Sequence, residues 1–392
     1  MKTFPAYEEQ AQNILGDVNP PAKNPAAQVG DRSSSIKITK MTATWASSNV
    51  FLKIETNHGI TGWGDLKAVD LRVGKALAES LFELIDGENP TRIEHIWQKL
   101  FRAHRNIRGG AFMVHTIAAI DMALWDIAGK LWNTPVYRLL GGPTRDRIRV
   151  YHTAKAKKLP PGGPYEHSMN PAQIENIVKM IKNTREQVGQ DGTVMLDAHC
   201  AIPPASLIQL AGALEPYNLL FIEEVAVPGN IEVFKRLKEQ IRIPLATGER
   251  DRTIWGMIEY LTNRCIDILQ PDCCHTGGIS QMKKIATLAE TFFVPLAPHC
   301  TASNLGIAAS LHVVSSIPMF LIHEFYPQNQ GFNPANIARM NWKLGDDGCI
   351  GLPEGPGLGI EIDEKALEEA AKKPQKYKWP GATLKDGSIS DY

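Results

Sequence analysis

The chain of 392 residues contains no run of 18 apolar residues, so nothing in it reads as a membrane-spanning helix. It also has no long basic run, and 42 Lys and Arg balance 42 Asp and Glu. That balance argues against a nucleic-acid or anionic-membrane partner. The first residues lack the apolar core and cleavage pattern of a secretory signal. Six cysteines, at 200, 265, 273, 274, 300 and 349, form no CxxC pair. Five of them lie in or beside apolar, strand-like runs, which reads as reduced thiols in a cytoplasmic protein. A GxGxxG nucleotide loop and a nucleophilic Ser or Cys constellation are missing too, which argues against dehydrogenase and hydrolase chemistry.

What is present is enough apolar material for a large core, 43% of the residues. The length points to two domains, or to one large α/β barrel with an appendage. Residues 1–34 hold Pro20, Pro21 and Pro25 and little apolar period, so they read as an irregular arm. Residues 35–145 read as an α+β unit. Val50, Leu52 and Ile54 alternate with Phe51, Lys53 and Glu55, Asn57-His58-Gly59 turns, and Ile60–Gly64 resumes a strand: an antiparallel meander. Met113, Ile117, Ile120, Leu124, Ile127 and Leu131 then mark the apolar stripe of a long helix, stopped by Asn133-Thr134-Pro135.

From residue 146 to 350 the texture changes. Strand candidates at 147–151, 193–197, 219–223, 243–247, 265–270, 293–297 and 319–323 alternate with helical patterns. That alternation means parallel strands with helical crossovers, and most strands end in a polar residue, as in a (β/α)8-type barrel with its site at the strand C-termini. The eighth strand is the difficulty. Its sole candidate, 153–159, follows the first strand with no room for a crossover helix. Either the barrel lacks its first helix, or that unit is rebuilt from the Pro/Gly-rich loop 159–170. Residues 351–392 read as a tail.

The strand ends carry the chemistry. Asp197, Glu223 and Glu249 are each 26 residues apart, about one βα unit, which places them side by side on one rim. Three converging carboxylates need a cation to stay ionised, and an all-oxygen set favours Mg²⁺. The plain alternative is rim acids paired with Arg or Lys. Asp272, one strand before His299, can hold that imidazole's tautomer and raise its basicity. His199, two residues past Asp197, falls on the same face by strand period, as a second imidazole beside the metal, a metal ligand or a simple hydrogen-bonding group. A divalent cation with a base on one side and an acid on the other suits proton removal beside a carboxylate, then loss of a β-hydroxyl.

The helix Ala118–Lys130 with Pro135–Gly142, the series Asp197, Glu223 and Glu249, and Asp272 in LQPD with Gly277-Gly278-Ile279, His299 and Glu324 resemble the enolase superfamily, mandelate-racemase-like branch. The resemblance covers about Ile36 to Asp363. It implies a capping domain, completed by the C-terminal tail, over a (β/α)7β barrel. Asp197-Ala198-His199 resembles the sugar-acid dehydratases of the galactonate dehydratase kind. There His299, paired with Asp272, would take the C2 proton. His199 would be the acid for the 3-hydroxyl, and Glu324 would hydrogen-bond the substrate carboxylate. The implied product is a 2-keto-3-deoxy acid. An acid-sugar epimerase or cycloisomerase, and a defective barrel that only binds a sugar acid, stay open. The resemblance further implies a homo-oligomer, an N-terminal arm with no family counterpart, and an interval from Tyr151 to Asp197 short by a helix and the start of a strand.

Overall fold

The computed structural model describes residues 35–46, 48–67, 70–151, 167–326, 337–340, 342–373, 383–384 and 386–389. The expected arm at 1–34 and the strand candidate at 153–159 lie outside the described residues.

The chain opens with β1 (Ile38–Ala46), β2 (Asn49–Thr56) and β3 (Thr61–Leu66), an antiparallel meander in which Trp45 faces Val50 and Val50 faces Leu66. The two-period alternation predicted for β2 puts Val50, Leu52 and Ile54 into the core. Helices α1 (Leu71–Phe82), α2 (Ile93–Ala103), α3 (Ala111–Leu131) and the short α4 (Val136–Leu139) follow.

Helix α3 departs from the single stripe that its apolar spacing predicts: almost every residue from Met113 to Leu131 is buried. The meander covers one side. Gly62 and Gly64 of β3 lie so close that a Cβ there would come within 2.0 Å of Ala123 O and 1.9 Å of Ala119 O. The barrel covers the other side. By length and composition α3 is apolar enough to cross a bilayer, but it is buried inside this fold as a core helix.

The barrel runs β4 (Arg147–Tyr151), α5 (Pro171–Val188), β5 (Leu196–Asp197), α6 (Pro204–Leu214), β6 (Ile222–Glu223), α7 (Ile231–Gln240), β7 (Leu245–Thr247), α8 (Thr253–Thr262), β8 (Ile268–Leu269), α9 (Gly278–Thr291), α10 (Asn304–Val314) and β9 (His323–Glu324). Parallel ladders join β5, β6, β7 and β8 in order; bridges Leu269–Leu296 and Leu296–Phe320 carry the wall on, and β9 pairs parallel with β4. All seven strand candidates therefore contribute to the wall, though the paired stretches are short. Tyr151, Met195, Phe221, Ala246, Ile268, Ala297 and Ile322 form an inner cluster, one from each segment.

Between β4 and β5 one helix is described, α5. It starts at a capping box in which Asn170 and Gln173 satisfy each other's backbone N–H groups. The edge of β4 opposite β9 is taken by a strand from the tail. After β10 (Ala338–Arg339), β11 (Cys349–Gly351) runs antiparallel to β4, with Ile350 opposite Ile148. Val150 N donates to Gly348 O on that side, while Phe325 N donates to Tyr151 O on the other. Arg149 Nη2 reaches Thr193 Oγ1 at 2.6 Å.

The tail ends in β12 (Glu361–Ile362) and α11 (Glu364–Ala371), and α11 packs beside β1. Lys53 Nζ of β2 bonds both carboxylate oxygens of Glu364, at 2.9 and 2.8 Å. Buried Asp126 of α3 accepts from Trp63 N at 3.0 Å, Leu358 N at 2.9 Å and Lys130 Nζ at 2.6 Å, so meander, helix and tail meet at one carboxylate. Buried Asp65 accepts from Asn49 Nδ2 and from Ser303 N at the start of α10; buried Asp121 accepts from Ser280 N and Oγ at the start of α9.

Candidate active site

Two residues beyond the inner cluster, six of the wall segments carry Asp197, Glu223, Gly248, Gln270, His299 and Glu324. Strand period turns these into the next inward layer, at the C-terminal mouth. Glu249 follows Gly248, and Asp272 lies three residues past β8.

Asp272 and His299 meet at 2.7 Å, Oδ2 to Nδ1. Asp272 also accepts from Cys274 N at 2.6 Å. Burial works to raise the Asp272 carboxyl, but His275, His299 and the Cys274 N–H together hold it well below the usual range. It is therefore an acceptor, and the shared proton sits on Nδ1 of His299. The other nitrogen, Nε2, is 3.7 Å from Glu249 Oε1 and 3.7 Å from Glu324 Oε2. Burial opposes a charge on His299, yet Glu249, Glu324 and Asp272 outweigh it and raise the imidazole well above its ordinary value. Glu324 is held in place by Cys300 N at 2.7 Å and Tyr326 Oη at 3.1 Å.

Asp197, Glu223 and Glu249 lie on three adjacent strand ends. Burial, then Glu224, lifts Asp197 to about 7. Burial, then Asp197, Glu324 and Glu249, lifts Glu223 well above the carboxylate range. Burial lifts Glu249 to about 8. Among the described residues no Lys or Arg ion pair reaches these three; the one guanidinium on this rim, Arg250, is spent on Glu224, with Nη2–Oε2 at 2.9 Å and a second bond from Nε. The plain alternative of rim acids paired with basic residues thus describes Glu224 and not its neighbours. Three buried oxygen donor groups with no cation of their own fit a hard divalent ion.

A different set, Asp272, His275 and His299, is the one among the described residues whose ligand atoms all come within 4.8 Å of one another. Its closeness reflects hydrogen bonds already made: His299 Nδ1 to Asp272, and His275 Nδ1 to Glu249 O at 2.9 Å. Asp197, Glu223 and Glu249 are not a group whose ligand atoms all come within 4.8 Å of one another.

The strand period from which the face of His199 was expected does not extend to it. Strand β5 ends at Asp197, and His199 and Cys200 both take left-handed backbone, φ 49° and 55°. The period of two therefore stops before His199 and cannot set its face. The turn is closed by His199 N donating to Asp197 Oδ1 at 2.7 Å. The imidazole Nε2 stands 4.0 Å from Glu224 Oε2.

Sequence reasoning passed over several residues here. Arg250 adjoins Glu249, so adjacency to a ligand candidate was its signal, while Glu224 was visible at the strand end beside Glu223 but not as the partner of Arg250. His275 stacks on His115 of α3, with ring centroids 4.6 Å apart, and tilts against His299 at 5.8 Å. Nothing local in the sequence pairs His275 with a helix so distant in the chain. Tyr151, the last residue of β4, places its hydroxyl 3.5 Å from Glu223 Oε2.

Residues 27–141 match the mandelate racemase / muconate lactonizing enzyme N-terminal domain, and residues 145–366 match the enolase C-terminal domain-like family. The first match begins at residue 27, inside the stretch read as an arm. The D-galactonate dehydratase of Klebsiella pneumoniae is 35% identical over 384 residues, covering 91% of this chain and 100% of that protein. The D-galactonate dehydratase of Ralstonia pickettii is 33% identical, with the same coverage. Among solved structures, an enolase from Agrobacterium radiobacter bound to sodium and L-malate superposes with a TM-score of 0.82 at 30% identity, covering 90% of this chain and 99% of that one. An enolase-superfamily member from Salmonella Typhimurium gives 0.78 at 26% identity, covering 85% and 98%. The chain belongs to the mandelate racemase / muconate lactonizing enzyme family of the enolase superfamily.

Proposed function

We propose that the chain dehydrates an aldonic acid such as galactonate to its 2-keto-3-deoxy acid, with Mg²⁺ held by Asp197, Glu223 and Glu249. The observation that carries the reading is the Asp272–His299 pair, whose free Nε2 opens onto the carboxylate-lined mouth. When bound, the metal supplies positive charge against which an electron-rich substrate carboxylate is stabilised.

The chain's own groups do the rest. Asp272 fixes the Nδ1–H tautomer, leaving the Nε2 lone pair of His299 to take the proton from C2. The electron pair of that C–H bond moves into the carboxylate as an enediolate. Glu324, anchored by Cys300 N and Tyr326, would hold a carboxylate oxygen of the substrate by donating the proton of its acid form as the charge grows. The C3–O bond then breaks. The leaving hydroxide takes a proton from His199 and departs as water, and the resulting C2–C3 enol becomes the ketone by moving its proton to C3. Glu249, foremost of the carboxylates that favour the charged form of His299, is also a proposed metal ligand, so a cation on it would weaken that pull and favour the free base.

A panel of aldonic acids with Mg²⁺, assayed for 2-keto-3-deoxy product, tests this reading. The expected result is product from at least one member, lost in His299→Asn. Deuterium exchange at C2 without loss of water would instead assign an epimerase. Tight binding with no exchange would assign a sugar-acid binding protein.

A further inference from the structure

Cys200 is a second left-handed residue directly after His199, in a place where glycine would fit the backbone freely. Two such side-chain-bearing residues in a row are held only if their surroundings over-determine them. Here the surroundings are specific. Cys200 N donates to Glu224 O at 2.9 Å, and Ala201 N donates back to Ala198 O at 2.9 Å. The Cys200 thiol lies 3.2 Å from Ala226 O and 3.4 Å from Glu224 Oε1. Glu224 is in turn clamped by Arg250 and is the carboxylate that faces His199 Nε2.

We infer that Cys200 is a positioning residue for His199: its thiol pins the turn after β5 to the chain leaving β6, and so fixes the imidazole beside Glu224. The inference rests on the dehydratase reading. Its consequence is selective. Removing the C2 proton depends on His299, on the far side of the site, whereas expelling the 3-hydroxyl depends on where His199 sits. Loosening the turn should therefore uncouple the two steps.

The test compares the wild type with Cys200→Ala, Cys200→Ser and Cys200→Gly, using the aldonate that the wild type dehydrates fastest. Water loss and C2 deuterium exchange are measured side by side, with melting midpoints as a check on folding. Cys200→Ala should lose water about 10-fold more slowly or worse, with C2 exchange and KM within about 2-fold of wild type. Cys200→Ser keeps a donor and should keep most of the rate. Cys200→Gly relieves the backbone but lacks the thiol, so it should melt no lower than wild type and lose water as slowly as Cys200→Ala.

A Cys200→Ala chain with undiminished water loss overturns the inference, as does one in which exchange and water loss fall together. A wild type that exchanges C2 without losing water, or does neither, overturns the dehydratase reading itself and this inference with it.

Discussion

His299 Nε2 faces Glu249 and Glu324 at 3.7 Å each, while Nδ1 is committed to Asp272. Only one nitrogen is left to act as base. His299→Asn keeps a hydrogen-bonding amide near the Nδ1 position but has no basic lone pair. Exchange at C2 is expected to fall by about 10³-fold with the melting midpoint unchanged, as read by deuterium incorporation. His199→Asn should separate the steps the other way: product formation falls by ~10²-fold while exchange at C2 persists. Loss of both in that variant would place His199 among the metal ligands. Much of this site was legible in the sequence, because Asp197, Glu223 and Glu249 recur at one βα unit, the first two ending strands and Glu249 two residues past one. The setting of His199 was not. Strand period is informative only while the strand lasts, and the left-handed turn at 199–200 comes from contacts with Glu224 and Ala226 that no local pattern encodes.

At the scale of elements, the domains are fastened by buried carboxylates at helix starts and strand ends. Asp126 takes three donors from β3, α3 and the tail. Asp126→Ala leaves two buried backbone N–H groups without their acceptor and Lys130 Nζ with Thr61 O, so unfolding free energy is expected to drop by ~2–4 kcal/mol in a urea titration. A drop under about 1 kcal/mol would mean that the tail is held by other contacts. Gly357 tests the same joint from the other side. Its φ is +69°, and a Cβ would fall 2.1 Å from Asp126 Oδ1, so Gly357→Ala is expected to be destabilising by ~2 kcal/mol or more in the same assay. The meander, the long helix and all seven wall segments could be read from periodicity. That β11 would cover the free edge of β4 could not, because a three-residue strand 200 residues away carries no period of its own.

For the whole molecule, the equal count of acidic and basic residues hides a concentrated negative mouth. Asp197 is raised to about 7 and Glu249 to about 8, above their ordinary carboxylate values. A group raised in the folded state contributes stability that is full at low pH and is lost as pH rises through the folded value. The metal-free protein thus loses stability at this site between about pH 4 and pH 8. A cation needs the ionised forms, so the rise in melting midpoint on adding Mg²⁺ should grow with pH, from almost nothing near pH 5 to on the order of 5 °C at pH 8.5. Scanning fluorimetry at several pH values reads this. A Mg²⁺ shift that is flat with pH would contradict assignment of the three carboxylates as ligands.

The most direct test of the central claim is a proton NMR time course in D₂O with Mg²⁺ and a panel of aldonates that includes D-galactonate. The account expects one substrate to lose its C2 proton signal and yield the 2-keto-3-deoxy acid in the wild type, with neither change in His299→Asn. Product formed at the wild-type rate by His299→Asn would contradict it.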